Sequence, residues 1–439
     1  MTIADRISDL SMIWKQASIV FPYFDRGAID WDLAYQEYLP KVMAATTEQD
    51  FHLLLAEFMN LLGDGHTDYQ FPKRLRDEIG YLPFSLRFLQ DTYCIDGATE
   101  AYEAYLGQEI LSINGQPFSA FVERMKRYSY HVGHYISRYR LHQVLPFFLN
   151  PHGNLAVTSK GSFSFDLLPA LPNHLITKTL HLETPYQPIH TGKLDIRLYD
   201  GGMLFIRLDD FMYEHAADEV RQALTQTPSI SGVILDLREN VGGMTMYGAK
   251  LAELFISGEF HGCRKRTRSM TGIGLSSASQ ILKWSQEAIE KHIAAGLTSR
   301  EEIEKSRQLA TNTHYDHYQD TYGSPDHTAL FDGPCVILTS RHTVSAAEDV
   351  IAMFRTNQRA TILGTETCGT TGTPLMQTLS CGGAMRICSV GYRLMDGTEF
   401  VGCGIKPHVF CEVSTDDFQQ GYDTVLKNGL EFLTTFLME

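Results

Sequence analysis

Two segments of the chain share one pattern, a buried run rich in β-branched residues, then a turn, then a helix. The first spans residues 232–243 and reads Gly-Val-Ile-Leu-Asp-Leu-Arg-Glu-Asn-Val-Gly-Gly. The second spans 336–348 and reads Val-Ile-Leu-Thr-Ser-Arg-His-Thr-Val-Ser-Ala-Ala-Glu. With a strand-like run at 202–208 and an amphipathic stretch at 216–224, strands and helices alternate here. This alternation predicts βαβ crossovers.

The spacing of apolar residues changes several times along the 439 residues of the chain. At about 150 residues per domain, roughly three domains are expected. Apolar residues at mostly three-to-four spacing, such as Leu10, Ile13 and Phe58, predict a helical start. We predict an α+β, multidomain fold with a helical region over 1–76, a β-rich module over 77–130, a bridging β region over 131–190, and a core over 191–439 that carries a helical insertion at 258–332. Helices are expected in the insertion at 281–295 and 299–310.

The β-rich module carries a hairpin signal at Asn114-Gly115. A strand precedes this turn and a helix through Phe121 and Met125 follows it, so the stretch resembles a PDZ domain. PDZ modules add a peptide as a strand to a sheet edge and hold its terminal carboxylate with backbone amides. The loop at residues 80–84 is a loose match to the carboxylate-binding loop. Peptide capture and a purely structural role both stay open.

Charge and cysteine usage exclude several classes of protein. The 52 acidic and 37 basic residues give a net charge of −15, which argues against sequence-independent nucleic-acid binding. No apolar run reaches about 18 residues, so no membrane span is predicted. Asp5 and Asp9 stand where a signal peptide would need a basic end and an apolar run. The eight cysteines form no CxxC pair and are expected to be reduced, which favours a cytoplasmic protein without a bound metal or cofactor.

Ser345 is the candidate nucleophile, because it opens an apolar periodic helix whose N-terminal amides would stabilise an adjacent anion. Ser345 and Glu348 also fit a capping box, in which the serine only satisfies the helix end. A serine needs a base to remove its proton, and His66, on a turn directly after two glycines, is the candidate. Asp64, His66 and Asp68 could instead be a metal cluster, which we regard as the weaker interpretation.

Three motifs together resemble the tail-specific or C-terminal processing serine peptidases. They are Gly65-His66-Thr67, Asp236-Leu-Arg-x-Asn240-x-Gly242-Gly243, and Thr343-Val-Ser345-Ala-Ala-Glu348. Further matches are Arg359 to Gly364, Thr367-x-Gly369, Asp396-Gly397 and Gly404-Ile-Lys-Pro407. The resemblance implies a core of the crotonase and Clp-protease type, an embedded PDZ-like module, and endopeptidase or C-terminal trimming activity on unstructured polypeptide ends. A homo-oligomer stays open.

The family divides by its catalytic base, and the resemblance places this chain on the histidine side. In the processing branch a lysine lies in a Gly-Lys-Gly context, where this chain has Thr370. In the branch resembling the tricorn core, a histidine in a His-Thr motif is the base, and His66 matches it. The implied roles are Ser345 as nucleophile, His66 as base, and the N–H groups of Ala346 and of Gly242 or Gly243 as oxyanion donors.

The acid that orients the histidine is less clearly marked in the sequence. In the tricorn-like branch a glutamate precedes the Gly-x-x-Pro motif, and the aligned residue here is Val401. Glu399 lies two residues earlier, and residues two apart on a strand share a face, so Glu399 is the predicted acid. Asp396, Glu366 and Asp64 are competitors, and the serine that precedes the histidine in tricorn is Gly65 here.

Two other functions compete with a serine peptidase. A non-catalytic relative would bind peptides or lipophilic ligands, and the missing aligned acid favours it. A crotonase-like enzyme of acyl-CoA chemistry shares the core and the oxyanion amides, but it has no use for Ser345 and His66 together.

Overall fold

The N-terminal region folds into three helices, α1 (Ile3–Val20), α2 (Trp31–Ala44) and α3 (Glu48–Asn60). A capping box closes the first turn of α1 and of α3, from Thr2 with Asp5 and from Thr47 with Asp50. The computed structural model of the chain describes residues 1–27, 29–133, 135–149, 151–180, 182, 186–190, 194–268, 284–310 and 314–438.

Short strands and helices follow as far as residue 190. In chain order they are β1 Asp68–Gln70, α4 Lys73–Ile79, β2 Phe84–Leu89, β3 Thr92–Ala98, a 3-10 turn Glu100–Tyr105, β4 Ile110–Ile113, β5 Gln116–Pro117, α5 Phe118–Met125, α6 Arg138–Val144, a 3-10 turn Leu145–Phe148, β6 His152–Val157, β7 Gly161–Asp166, β8 Ile176–Thr177 and β9 Tyr186–His190.

The remaining elements contain the predicted alternation of strand and helix. They are β10 Leu194–Tyr199, β11 Met203–Leu208, α7 Ala216–Gln226, β12 Gly232–Asp236, α8 Thr245–Ala252, β13 Cys263–Arg268, α9 Gln286–Ala294, α10 Arg300–Ala310, β14 Tyr315–Gln319, β15 Cys335–Thr339, α11 Ala346–Thr356, β16 Thr361–Gly364, β17 Pro374–Thr378, β18 Ala384–Cys388, β19 Gly391–Leu394, β20 Val409–Phe410, α12 Thr415–Gln420 and α13 Thr424–Met438.

A seven-stranded sheet forms the centre of the core, in the order β20-β16-β15-β12-β11-β10-β9. The strands from β11 to β20 are parallel, and β10 and β9 join antiparallel. Side chains alternate between two apolar layers: Leu235 and Ile337 pack in one cluster with Phe354 of α11, and Ile234 packs in the other with Leu433 of α13. Covering both faces explains why β12 and β15 are apolar at almost every position.

Two smaller sheets, β2-β3-β8 and β5-β4-β6-β7, contain the β-rich module. Asn114 and Gly115 both have positive φ, 48° and 74°, and they turn β4 into β5 as the Asn-Gly pair predicts. β4 also pairs with β6, so this sheet extends into residues 152–166 of the bridging region. The chain is therefore a mixed α+β protein built from several sheets and helical groups.

The insertion contains both expected helices, as α9 and α10. Residues 281–283, where the first of them was predicted to begin, lie outside the described residues. β13 and β14 at the two ends of the insertion pair with each other, and β13 also pairs with β19 of the core. Within the described ranges, no helix is both long and apolar enough to cross a membrane.

The short strand β1 attaches the N-terminal region to the core. It pairs antiparallel with β18, with Asp68 opposite Arg386 and Gln70 opposite Ala384. The buried Asp68 carboxylate forms ion pairs with both Arg386 and Arg140. Burial alone would raise the pKa of Asp68, but the two guanidinium groups outweigh burial and lower it. The attachment therefore depends on a charged cluster as well as on strand pairing.

Breaking this cluster is expected to destabilise the fold. Asp68→Asn leaves two largely buried arginines without their carboxylate, and we expect a loss of about 3 kcal/mol at pH 7. The pKa of Asp68 is lowered by folding, so its contribution is present above the unfolded pKa and is lost as the pH falls through the folded pKa. Thermal unfolding midpoints measured from pH 7 down to pH 3 test this. Asp77→Asn, which removes a half-buried carboxylate paired with Lys73, is the control, and an Asp68→Asn midpoint as high as that of the control would contradict the prediction.

Candidate active site

Ser345 lies at the tight turn between β15 and α11, the position of the N-cap of α11. Its backbone has φ 60° and ψ −124°, a conformation that side-chain-bearing residues rarely adopt and that costs roughly 1–3 kcal/mol. Its N–H donates to the Thr370 carbonyl at 2.9 Å, and at 3.3 Å it also meets Glu348 Oε2. The contact between the Ser345 N–H and the Glu348 carboxylate is thus one of the two contacts of a capping box. The hydroxyl lies 3.1 Å from His66 Nε2.

His66 reaches Ser345 from 279 residues earlier in the chain. The turn before β1 holds its backbone: the His66 N–H donates to Asp64 Oδ2 at 3.0 Å, and the Gly65 carbonyl accepts from Arg140 at 2.6 Å. The ring is buried, with 7% of the residue exposed. Its second nitrogen, Nδ1, lies 2.5 Å from the Thr370 hydroxyl.

The surroundings of His66 favour its neutral form. The pKa of His66 is lowered to about 3, mainly by burial and also by the nearby guanidinium groups of Arg386 and Arg140. Asp68 acts in the opposite direction but is itself paired with both arginines. A neutral imidazole has a free lone pair, so His66 is ready to accept a proton near neutral pH.

Glu348 holds the 367–370 loop, whose Thr370 contacts the ring of His66. Its fully buried carboxyl group accepts from the Thr367 hydroxyl at 2.5 Å and from the N–H groups of Gly369 and Thr370, both at 2.8 Å. Burial raises the pKa of Glu348 to about 7, although these hydrogen bonds oppose the shift. Because Glu348 lies one turn after Ser345 on α11, it fixes the loop against the nucleophile.

The turn after β12 contains two glycines and brings Gly242 against Ser345. Gly242 and Gly243 have φ of 88° and 139°, and a Cβ on Gly242 would lie 2.6 Å from the Ser345 Cβ. Glycine is required here by this close approach. The Gly242 N–H already donates to Asn240 Oδ1 at 2.9 Å. In the described part of the chain, the N–H groups of Gly243 and Ala346 have no hydrogen-bond acceptor.

Glu399 does not lie beside His66, so its predicted role as the orienting acid is wrong. Its carboxylate forms ion pairs with Arg26 and Arg393. A position for Glu399 on the same face as residue 401 requires a strand through 399–401, whereas the chain there leaves β19 through a turn and forms no strand. The shared-face rule for strands does not apply to such a segment.

The competing carboxylates contact other groups as well. Glu366 pairs with Arg341, and the Asp396 carboxylate accepts from the Thr398 N–H. Asp64 accepts from the backbone of His66 and from the Thr67 hydroxyl, and neither contact involves the imidazole ring. Among the described residues, no three histidine, cysteine, aspartate or glutamate side chains are grouped so that they could hold a metal ion.

Thr370 is the contact that reasoning from sequence missed. The family resemblance marks its position only as the place where the lysine branch has its amine. Its hydroxyl type and its place after the Thr367-x-Gly369 motif were the available signals, but only the fold shows that it meets His66. Glu348 was considered as a helix cap, and its contacts with the 367–370 loop were likewise not anticipated.

Two parts of the chain match models of known protein families. Residues 202–410 match the family model for peptidase family S41, and residues 4–60 match that for the tricorn protease C1 domain. A carboxy-terminal-processing protease of Bartonella bacilliformis is 31% identical over 93 residues, which is 21% of this chain and 21% of that relative. The match thus spans about a fifth of the length of the curated relative.

Solved structures share the fold over nearly the whole chain. Mature CPAF in complex with lactacystin superposes with a TM-score of 0.70 at 13% identity, covering 99% of this chain and 98% of that one. The photosystem II D1 C-terminal processing protease gives a TM-score of 0.50 at 14% identity, covering 96% of this chain and 98% of that one. Given the two family models and the order of their matches along the sequence, the chain belongs to peptidase family S41, a family of serine peptidases.

Proposed function

We propose that this protein is a serine endopeptidase that cleaves unstructured polypeptides near their carboxyl ends. The observation that carries the proposal is the 3.1 Å contact between Ser345 Oγ and His66 Nε2, between two residues 279 positions apart. A serine hydroxyl becomes a competent nucleophile when a base within hydrogen-bond reach removes its proton. Membership of a peptidase family and the name of the carboxy-terminal-processing relative support the choice of substrate.

In the first step His66 Nε2 takes the Ser345 proton while Oγ attacks the carbonyl carbon of the scissile peptide bond. The resulting imidazolium then gives this proton to the leaving amine, and an acyl-enzyme remains on Ser345. Water, with its proton accepted by His66, releases the carboxylate product and restores the serine. The largely buried site keeps the base neutral between turnovers, because its pKa is lowered.

Two backbone donors suit the oxyanion of the tetrahedral intermediate. The Ala346 N–H opens α11 and gains from the partial positive charge of the helix N-terminus. The Gly243 N–H is the second donor that we propose, in preference to Gly242, whose N–H is already bonded to Asn240. Each such donor typically contributes on the order of 3 kcal/mol to transition-state stability.

The wider architecture fits the same proposal. The parallel sheet with α8 and α11 on one side is our basis for proposing a crotonase and Clp-protease type of core. The two small sheets, with the Asn114-Gly115 hairpin and helix α5, are our basis for proposing a PDZ-like module. A peptide-binding relative without catalysis would not need the Ser345–His66 contact, and neither would an enzyme acting on acyl-CoA.

A fluorophosphonate probe distinguishes the peptidase from these alternatives. We expect the wild-type protein to be labelled and Ser345→Ala to remain unlabelled. His66→Ala should react at least about 1000-fold more slowly, because the serine has lost its base. The exposed Ser119→Ala is the control and should label like wild type. Labelling of Ser345→Ala at the wild-type rate would exclude Ser345 as the nucleophile. Casein hydrolysis in the presence of a chelator separates this chemistry from metal-dependent hydrolysis.

The pH dependence of peptide hydrolysis tests the environment of His66. A folded pKa near 3 means that the imidazole loses its proton well below its ordinary value of 6.5. Activity should therefore fall only at low pH, with the acid limb of kcat/KM centred below about pH 5. Circular dichroism at each pH identifies any loss that is due to unfolding. An acid limb at pH 6 or above, on folded protein, would contradict the prediction.

The preference for carboxyl ends is tested with one unstructured peptide in two forms. We expect C-terminal amidation to lower kcat/KM through a higher KM, because the amide removes the charge that a PDZ-like module would hold. The same peptide with its N-terminus acetylated is the control, and it should be cleaved like the unmodified peptide. Equal kcat/KM for the free acid and the amide would show that the enzyme does not recognise the terminal carboxylate.

A further inference from the structure

Thr370 makes a separate contact with each part of the candidate site. Its N–H donates to Glu348 Oε2 at 2.8 Å, its carbonyl accepts from the Ser345 N–H at 2.9 Å, and its hydroxyl lies 2.5 Å from His66 Nδ1. One residue thus touches both the backbone of the nucleophile and the ring of the base. Thr370 therefore links the backbone of the nucleophile to the ring of the base.

The proton on His66 must be on Nδ1 for catalysis to begin. If the Thr370 hydroxyl accepts from Nδ1–H, then Nε2 presents its lone pair to the Ser345 hydroxyl. In the opposite arrangement Nε2 carries the proton and cannot accept another. In a Ser-His-Asp triad, a carboxylate fixes which nitrogen of the histidine carries the proton. In the described residues the ring contacts of His66 are with the hydroxyls of Thr370 and Ser345.

We propose that Thr370 is the positioning residue of His66 and that its hydroxyl holds the imidazole in the reactive tautomer. This inference rests on the proposed function and deepens it. A hydroxyl orients the ring without adding a negative charge beside it. It remains a suitable acceptor for Nδ1–H when His66 becomes an imidazolium during the reaction.

Gly65 supports the same inference from the steric side. A Cβ at position 65 would lie 2.3 Å from the Thr370 Oγ1 and 2.5 Å from its Cβ. These distances are shorter than any normal contact, so a side chain at position 65 and the present placement of Thr370 exclude each other. Gly65 is the residue before His66, and the absence of its side chain leaves the space that the Thr370 hydroxyl occupies.

The test compares Thr370→Val with Thr370→Ser. Valine keeps the shape and removes the hydroxyl, whereas serine keeps the hydroxyl and removes the methyl group. We expect Thr370→Val to lower kcat for peptide hydrolysis by on the order of 10- to 100-fold with KM unchanged, the scale of a misplaced catalytic group. Thr370→Ser should retain kcat within about threefold of wild type, since a serine hydroxyl offers the same hydrogen bond. A merely structural role predicts the reverse order.

Two further variants control for stability and for the steric argument. Thr371 is equally buried, and its hydroxyl donates to Asp349 at 2.9 Å rather than to His66. Thr371→Val should lower the unfolding midpoint but leave kcat per folded protein unchanged. Gly65→Ala should lower kcat as Thr370→Val does, because the new Cβ displaces the hydroxyl.

The outcomes separate this inference from the proposed function. Thr370→Val with the kcat of wild type, or equal losses in Thr370→Val and Thr370→Ser, would overturn the role of Thr370 alone. An unlabelled wild-type protein, or a labelled Ser345→Ala, would overturn the proposed function and this inference with it. The expected result is fluorophosphonate labelling of wild type and Thr370→Ser at similar rates, with Thr370→Val slower by the same factor as in kcat.

Discussion

The antiparallel pairing of β1 with β18 is the interaction on which the candidate site depends. His66 lies two residues before β1, so this pairing brings the imidazole to Ser345, which lies 279 residues further along the chain. Closing a segment of that length costs conformational entropy, though the cost grows only slowly with length. The Asp68 cluster with Arg140 and Arg386 offsets part of that cost and at the same time places positive charge near the ring. The arginines that help to attach the base thus also add to the effect of burial, which keeps it neutral.

In the part of the site that the core contributes, the backbone is strained at the nucleophile, Ser345. Ser345 is held at φ 60°, and the Gly242 backbone approaches it so closely that a Cβ there would meet the serine at 2.6 Å. The turn after β12 and the turn after β15 are adjacent because their strands are parallel neighbours in the sheet. Buried hydrogen bonds to Glu348 hold the 367–370 loop beneath them. Such surroundings over-determine a conformation that an isolated turn would not keep.

The sequence predicts those parts of the structure that depend on local pattern. Apolar β-branched runs predict β12 and β15, and the Asn114-Gly115 pair predicts the hairpin between β4 and β5. The joint motifs also indicated that Ser345 and His66 would meet, because their order along the chain follows that of a known family. The prediction of Glu399 as the orienting acid is wrong for a physical reason. It requires a strand that places Glu399 on the same face as residue 401, and residues 395–403 contain turns instead. Whether Gly242 N–H is free also depends on Asn240, whose side-chain orientation no local pattern specifies.

The contact of Thr370 with His66 shows why such tertiary details escape sequence patterns, and what they mean for the chemistry. Gly65 and Thr370 are 305 positions apart, yet the size of one fixes the space left for the other. A carboxylate at the same place would raise the pKa of His66 by stabilising the imidazolium, whereas a hydroxyl adds no net charge. Burial, with a smaller contribution from two nearby arginines, then keeps the ring neutral far below its usual pKa. A histidine of low pKa is a weaker base, so this arrangement exchanges some driving force for proton removal against a base that is deprotonated at nearly every physiological pH.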